Sequence, residues 1–157
     1  MTPETITWLT ERMKQHRPVD AADETAVHDF AMLWSFFECT RLNCNASCTE
    51  CSAHAATLLE NVDAGAVDAF IHFLQKQYVA HGQFTQRFHA LNFPYTPREV
   101  DEVLKGRTHS LRVKMTACLM LLSRFRHNLF HGEVWKDGLQ GEQETFLRAN
   151  AFLKALM

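Results

Sequence analysis

The chain has 157 residues, a formal net charge of −2, 46% apolar residues and 22% charged residues, values that are ordinary for a globular protein with one hydrophobic core. It contains no run of about 18 uncharged apolar residues, the length that a membrane span requires, and its N-terminus lacks the basic region and the apolar segment of a signal peptide. We therefore expect one domain over residues 1–157, located in the cytoplasm and with no membrane partner.

Two helices are predicted at the start of the chain. Thr2-Pro3 is typical of a helix start, because a capping side chain precedes a proline at the first helical position. This helix ends at Arg17-Pro18, and the helix within residues 1–19 can be an accessory to the core. The second helix begins near Asp20 or Asp23, and its apolar residues recur every three or four positions. They form one stripe: Val27, Phe30, Ala31, Trp34 and Phe37.

An acidic residue and a cysteine cluster follow this stripe. Glu38 lies at the edge of the stripe, where it is either a surface carboxylate or a site residue. Four cysteines then fall within thirteen residues, and the last two have the spacing of half a zinc site, although the other half is irregular. We favour free thiols at a helix–helix connection and no cofactor, since a disulfide is disfavoured in a reducing cytosol. The alternative is a zinc-dependent interaction module whose ligands come from Cys39, Cys44, Cys48, Cys51 and His54.

The middle of the chain is also predicted to be helical, since it shows no alternation of period two that would indicate a strand. A long helical region is expected over residues 55–80, either continuous or divided into a piece over residues 55–60 and another over residues 63–80, and Gly82 would end it. A shorter helical pattern covers residues 84–91. The sequence Thr96-Pro97-Arg98-Glu99 has the spacing of a capping box and predicts a further short helix.

The longest predicted helix begins at His109 or Ser110 and is apolar over most of its surface, so we expect it to be central. It ends in a dense polar cluster with the sequence RFRHNLFHG, and Gly132 is a typical helix stop. A final helix is expected over residues 141–156. Together these elements predict an all-α, up-and-down bundle of five to seven helices.

A basic segment surrounds the polar cluster. Residues 103–132 contain no Asp or Glu but six Lys or Arg residues, so this part of a weakly acidic protein can attract phosphate. For Lys105 to Lys114 we favour ion pairs with acidic residues of neighbouring helices. For the helix end the alternatives are a basic cap that complements the helix dipole and a functional site.

Arg126 and His131 are the residues that we expect to carry such a site. An arginine binds phosphate oxygens through two parallel donors, and an imidazole with a pKa of about 6.5 can accept or donate a proton. These groups suit metal-independent cleavage of RNA by its own 2′-OH. His127 and His131 also share a helix face, as a metal-binding pair would, but no third ligand is evident. On an ideal helix Arg126 and His131 diverge by about 140° and about 7.5 Å along the axis, so a single chain does not readily bring them together.

The sequence RHNLFHG resembles the signature of the HEPN superfamily (higher eukaryotes and prokaryotes nucleotide-binding domain), often written RNNLFHG. Arg126, Asn128, His131 and Gly132 match that pattern. The residue after the arginine is His127, where an asparagine or another polar residue is common, and His127 can assist or replace it. The segment MLWSFFE, which ends at Glu38, is similar to an aromatic-rich early helix of many members.

The resemblance implies a HEPN-like fold and a homodimer whose two motif helices meet across a twofold axis. In active members the two chains form a composite endoribonuclease site that leaves a 2′,3′-cyclic phosphate. The candidate catalytic residues are then Arg126, His131, Asn128, His127 and Glu38. Members are often toxins or defence components that act on RNA and have an antitoxin or a nucleotidyltransferase as partner. The alternative is a non-catalytic HEPN dimer that binds nucleotide or RNA or serves as a scaffold for a partner protein.

Overall fold

Helices make up nearly all of the regular structure in the computed structural model, which describes residues 2–13, 21–135 and 141–157. The described residues form eight α-helices, against the five to seven that the sequence predicted, and one of the eight, α5, is a single turn. The all-α prediction is confirmed. The elements are α1 (Pro3–Met13), α2 (Ala21–Arg41), α3 (Cys48–Leu59), α4 (Ala64–Tyr78), β1 (Val79–Ala80), β2 (Gln83–Phe84), α5 (Gln86–His89), α6 (Arg98–Leu104), α7 (Leu111–Phe130), a 3₁₀ turn (Glu133–Trp135) and α8 (Gln143–Ala155).

Side-chain caps fix where several of these helices begin. The Thr2 hydroxyl accepts a hydrogen bond from the Thr5 amide at 3.2 Å, and the Ser110 hydroxyl accepts one from the Val113 amide at 3.4 Å. These caps confirm the predicted starts of α1 and α7. The predicted end of the first helix at Arg17-Pro18 lies outside the described residues.

Two predicted helix starts are wrong. Thr96 does not cap α6, because Pro97 has extended backbone angles (φ −58°, ψ 145°) and is itself the residue before the helix, without a side-chain cap. Helix α3 begins well before residue 55, because Ser47 caps it by accepting a hydrogen bond from the Glu50 amide at 3.2 Å. The cysteine cluster therefore runs into a helix.

A short hairpin replaces the predicted end of the helix over residues 63–80. The strands β1 and β2 pair antiparallel, with Val79 opposite Phe84. The two residues between them, His81 and Gly82, have φ values of 52° and 75°, the left-handed conformation that tight hairpin turns require. Strands of two residues are too short to show an alternating pattern, so the sequence did not predict them.

Helix α7 forms the centre of the core, as its composition predicted. Every residue from Met115 to Leu122 is buried, and α3, α4 and α6 all pack against this helix. Helix α2 packs mainly on α8, where the rings of Phe30 and Phe146 lie 5.0 Å apart. The predicted α2 stripe faces this contact, with Ala31 partly buried and the other four residues buried. No helix among the described residues has the length and apolar character needed to cross a membrane.

Candidate active site at the end of helix α7

Helix α7 ends at the residues that the sequence singled out. The amide of His131 donates to the carbonyl of His127 at 3.0 Å, and the amide of Gly132 donates to the carbonyl of Leu129 at 3.3 Å. Gly132 has a φ of 78°, a left-handed conformation that glycine adopts without steric cost. The chain therefore leaves the helix directly after His131, and this histidine projects from the last turn.

Arg126 lies on the outer side of this last turn. Its guanidinium carbon is 5.5 Å from the centre of the Phe130 ring, and the Phe130 side chain is 61% exposed. Within the part of the chain that the structure describes, no side chain or carbonyl forms a hydrogen bond or an ion pair with Arg126. A guanidinium in this setting keeps its donors available for an anion.

The two histidines of the motif form a stacked pair. The ring centres of His127 and His131 lie 3.9 Å apart, with 18° between the planes. His131 Nδ1 donates to the carbonyl of His127 at 2.9 Å, so in the neutral ring Nε2 carries the free lone pair. That arrangement fixes the tautomer that a general base needs, in which Nε2 of the exposed His131 ring is the basic nitrogen.

The pKa of His127 is lowered from its ordinary value of 6.5, first by partial burial and then by the positive charges of Arg124, His131 and Arg126. Each of these effects penalises the protonated ring. His127 is therefore neutral near pH 7, and its ring stacks against the ring of the exposed His131.

Asn128 faces the interior, on the other side of the helix from Arg126. It is 4% exposed, and its Nδ2 donates to the carbonyl of Leu91 at 3.1 Å. Arg124 also donates to the carbonyl of Leu91 and to that of Asn92. These contacts hold the turn after α5 against α7. Asn128 therefore positions helix α7 and does not lie on the exposed face where His131 lies.

Ion pairs hold several of the basic side chains in the first half of the basic segment. Lys105 and Arg107 both pair with Asp101, and Lys114 pairs with Asp68 at 2.7 Å. Lys114 therefore pairs with a neighbouring helix, as predicted, whereas Lys105 pairs with a residue of its own helix. Arg112 forms no ion pair within the described part of the chain. Arg126, at the other end, has no such partner among the described residues and remains available.

Glu38 belongs to a different part of the molecule. Its carboxylate accepts a hydrogen bond from Trp34 Nε1 at 2.6 Å. The pKa of Cys44 is raised first by a hydrogen bond with Cys39, and that of Cys51 first by burial, and the charge of Glu38 adds a smaller effect to both. The structure shows no contact that brings Glu38 to Arg126 or to His131, over the residues described. The carboxylate is thus a partner of a buried tryptophan.

The cysteines lie at the connection between α2 and α3. The side chains of Cys39, Cys44 and Cys48 are exposed, whereas Cys51 is buried and all are free thiols. Burial, more than any neighbouring charge, raises the pKa of Cys51 to about 12. His54 is paired with Glu50 at 3.2 Å. Over residues 2–13, 21–135 and 141–157, no three His, Cys, Asp or Glu side chains are grouped so that they could hold a metal ion.

A cavity that the sequence did not reveal lies on the inner side of the α7 end. Its volume is about 110 Å³, and it lies between α4, α5, α7 and α8. Arg87 spans its rim and donates to Glu142 and Thr145, both at 3.1 Å. Burial raises the pKa of Glu142, the largest effect on that carboxyl, although Arg87 opposes it. No spacing in the sequence marks this cavity because its walls come from five separate elements, the fifth being the 3₁₀ turn.

Comparison of the chain with models of protein families, with curated proteins and with solved structures finds no match in any of the three. The case for a function therefore depends on the residues at the end of α7 and on their geometry.

Proposed function

We propose that this protein is a HEPN-type, metal-independent endoribonuclease that acts as a homodimer in the cytoplasm, as a toxin or a component of a defence system. The observation that carries the proposal is the exposed surface at the end of α7. It presents the guanidinium of Arg126 and the exposed ring of His131, with Nε2 as its basic nitrogen, on a segment without Asp or Glu up to Gly132.

The chemistry follows from these two groups. Nε2 of a neutral His131 removes the proton from a ribose 2′-OH, and the 2′-oxygen then attacks the adjacent phosphorus. The bond between phosphorus and the 5′-oxygen breaks, and the 5′-oxygen takes up the proton that His131 accepted from the 2′-OH. Arg126 stabilises the charge that accumulates on the phosphate oxygens. The products are a 2′,3′-cyclic phosphate and a 5′-hydroxyl end.

A second copy of the chain supplies the other half of the site. Arg126 and His131 point in directions about 140° apart on one helix, so two helix ends related by a twofold axis can place an arginine and a histidine of different chains around one phosphate. Phe130, which is 61% exposed between these residues, provides an apolar surface for that contact. An antitoxin or a nucleotidyltransferase is the expected partner of the dimer.

The test uses purified full-length protein and labelled RNA. Arg126→Ala and His131→Ala are each expected to reduce the cleavage rate by about 10²–10⁴-fold, the usual contribution of a general acid or base or of a charge-stabilising group. Arg112→Ala is the matched control, because Arg112 is an exposed arginine at the other end of the same helix. It should cleave at the rate of the wild type.

Two outcomes would contradict the proposed endoribonuclease activity of this site. Cleavage that survives both substitutions would show that the activity does not belong to this site. RNA binding without cleavage over hours would favour the alternative, a non-catalytic HEPN dimer that binds nucleotide or RNA or serves as a scaffold. Detection of the 2′,3′-cyclic end by mass spectrometry would establish the reaction type.

A further inference from the structure

Two cysteines are in contact where helix α2 ends. Cys39 lies in the last turn of this helix, and Cys44 is the third residue after Arg41, its last residue. A hydrogen bond joins the two thiols, and both side chains are exposed and free. We call Cys39 and Cys44 the surface thiol pair, because reagents in the solvent can reach both of its members.

The backbone after α2 brings the surface thiol pair together. Asn43 and Cys44 have left-handed φ values of 50° and 57°, so the chain turns back towards the last turn of the helix. The amide of Cys44 donates to the carbonyl of Glu38, the residue directly before Cys39, at 3.0 Å. Leu42, which lies between the two cysteines in the chain, has no exposed surface and anchors the turn in the core. The contact between the thiols therefore depends on a fixed turn of the backbone.

The other two cysteines of this cluster are arranged differently. Cys48 and Cys51 are closer in the sequence, but Cys51 is buried and its thiol donates to the carbonyl of Ala46 at 3.9 Å. Burial raises the pKa of Cys51 to about 12, so this thiol is neither accessible to an oxidant nor ionised near pH 7. The spacing in the sequence favours Cys48 and Cys51 as a redox pair, whereas the structure favours Cys39 and Cys44.

We propose that Cys39 and Cys44 form a site of reversible oxidation, at which hydrogen peroxide converts the two thiols into an intramolecular disulfide. The thiolate of Cys39 attacks one oxygen of the peroxide and the O–O bond breaks, so Cys39 becomes a sulfenic acid and the first water molecule leaves. The sulfur of Cys44 then attacks the sulfur of Cys39, the S–OH bond breaks, and the second water molecule leaves with the proton of Cys44. The peroxide gains two electrons, and the two thiols lose them.

The order of these steps follows from the hydrogen bond within the pair. This hydrogen bond raises the pKa of Cys44, so Cys39 ionises first and Cys44 resolves the sulfenic acid. In a reducing compartment cysteines are kept as thiols, and a disulfide there is usually transient. Because both members of the pair are exposed, glutathione can reduce the disulfide again by thiol exchange.

The experiment treats the intact protein with hydrogen peroxide for increasing times, blocks the remaining thiols with iodoacetamide and locates disulfides by mass spectrometry. Trypsin cleaves after Arg41, so a disulfide between Cys39 and Cys44 joins two tryptic peptides. Fragmentation of the joined peptides distinguishes Cys44 from Cys48 and Cys51, which lie on the same peptide. The expected disulfide should form at least about tenfold faster than any other, because the folded turn holds its two sulfurs in contact.

The wild-type protein provides its own control for the role of the turn. In protein unfolded with urea, the same treatment should lose the preference for Cys39 and Cys44, since nothing then holds these residues together. Glutathione added to the oxidised native protein should restore the free thiols.

Three serine variants at exposed positions assign the roles within the cluster. Cys39→Ser and Cys44→Ser should each abolish the disulfide, whereas the matched control Cys48→Ser should form it at the rate of the wild type. In Cys44→Ser the sulfenic acid of Cys39 has no resolving thiol, so it should accumulate and react with dimedone.

The inference is overturned if another disulfide forms first, if Cys39 is oxidised beyond the sulfenic acid without forming a disulfide, or if native and unfolded protein give the same mixture. Because the experiment measures disulfides and not RNA cleavage, its outcome does not depend on the proposed function.

Discussion

The ring of His131 stacks on the ring of His127 at 3.9 Å, and its Nδ1 donates to the carbonyl of the same residue at 2.9 Å. The ring and the carbonyl of His127 thus both hold the ring of His131 in its orientation. If the proposed HEPN resemblance holds, His127 stands where a smaller polar residue is common, and its ring contacts His131 there. A flat, neutral ring holds the orientation of His131, and a positively charged one would repel both Arg126 and His131.

The pair predicts a pH dependence of stability. The folded pKa of His127 is below 6.5, so between these two values the unfolded chain binds more protons than the folded one. The free energy of unfolding should therefore decrease as the pH falls from about 6.5 through the folded pKa. His127→Gln should remove this part of the dependence, measured by urea unfolding at pH 7.5 and at lower pH.

The exposed His72 on α4 provides the control for this experiment. His72→Gln should retain the pH dependence of the wild type. NMR titration of the imidazole signals checks the cause directly, since His127 should titrate below the ordinary range. A His127 that titrates above 6.5 would contradict the structure of the pair.

A site shared between two chains predicts complementation. Mixing inactive Arg126→Ala chains with inactive His131→Ala chains gives mixed dimers in which one site has both an intact arginine and an intact histidine. If the two groups come from different chains, an equimolar mixture should recover about a quarter of the wild-type rate, because half of the dimers are mixed and each has one of two sites. The measurement is RNA cleavage after the mixture has exchanged subunits.

Failure of complementation has a specific meaning. If exchange is demonstrated by mass spectrometry of the mixed dimer and the mixture remains inactive, the arginine and histidine of one site come from the same chain. A protein that is monomeric at the assay concentration and still cleaves RNA would exclude the shared site altogether.

Arg124 is predicted to act through stability and not through chemistry. Arg124→Ala removes the donor to the carbonyl of Asn92, whereas the carbonyl of Leu91 keeps the hydrogen bond from Asn128. We expect a loss of about 1 kcal/mol in the free energy of unfolding, the usual cost of one such hydrogen bond. Arg112→Ala should change it by less than about 0.5 kcal/mol. Chemical denaturation measures both, and an effect of Arg124→Ala no larger than that of Arg112→Ala would contradict the anchoring role.

The sequence could predict what depends on local spacing. The stripe of α2, the cap at Ser110 and the glycine after His131 all follow from the period of the helix and from the chemistry of its ends. The inward direction of Asn128 was also readable, since it lies three residues after the core residue Phe125. The resemblance to the HEPN signature predicted a catalytic role for Asn128 and did not consider which side of the helix it faces.

What could not be predicted depends on contacts between distant segments. The partner of Asn128 is 37 positions away, and the cavity joins Tyr78 to Phe146. No periodic pattern in the sequence predicts which distant segments contact each other. The same reason applies to Glu38, whose catalytic role was suggested by the resemblance of its helix, and whose observed partner is Trp34.

Glu38 is therefore predicted to matter for folding and not for cleavage. Trp34 is buried, with 1% of its surface exposed, so Glu38→Ala leaves its indole N–H without an acceptor at a cost of about 1–3 kcal/mol. Glu38→Gln retains an acceptor and should cost less. Both variants should cleave RNA at the wild-type rate per folded chain. A slower cleavage rate in Glu38→Gln with unchanged stability would show that Glu38 takes part in cleavage.

The cysteines predict a pattern of chemical modification. The thiols of Cys39, Cys44 and Cys48 are exposed, whereas Cys51 and Cys118 are buried and burial raises the pKa of both. A hydrogen bond with Cys39 also raises the pKa of Cys44. Since the thiolate is the reactive form, iodoacetamide should label Cys39 and Cys48 of the native protein first and Cys44 more slowly, and five labels should appear only after denaturation, as counted by mass spectrometry. Equal labelling rates at Cys48 and Cys51 would show that the first turn of α3 opens readily. A chelator that strongly accelerates labelling, together with at least about half an equivalent of zinc per chain, would support the zinc alternative for this cluster.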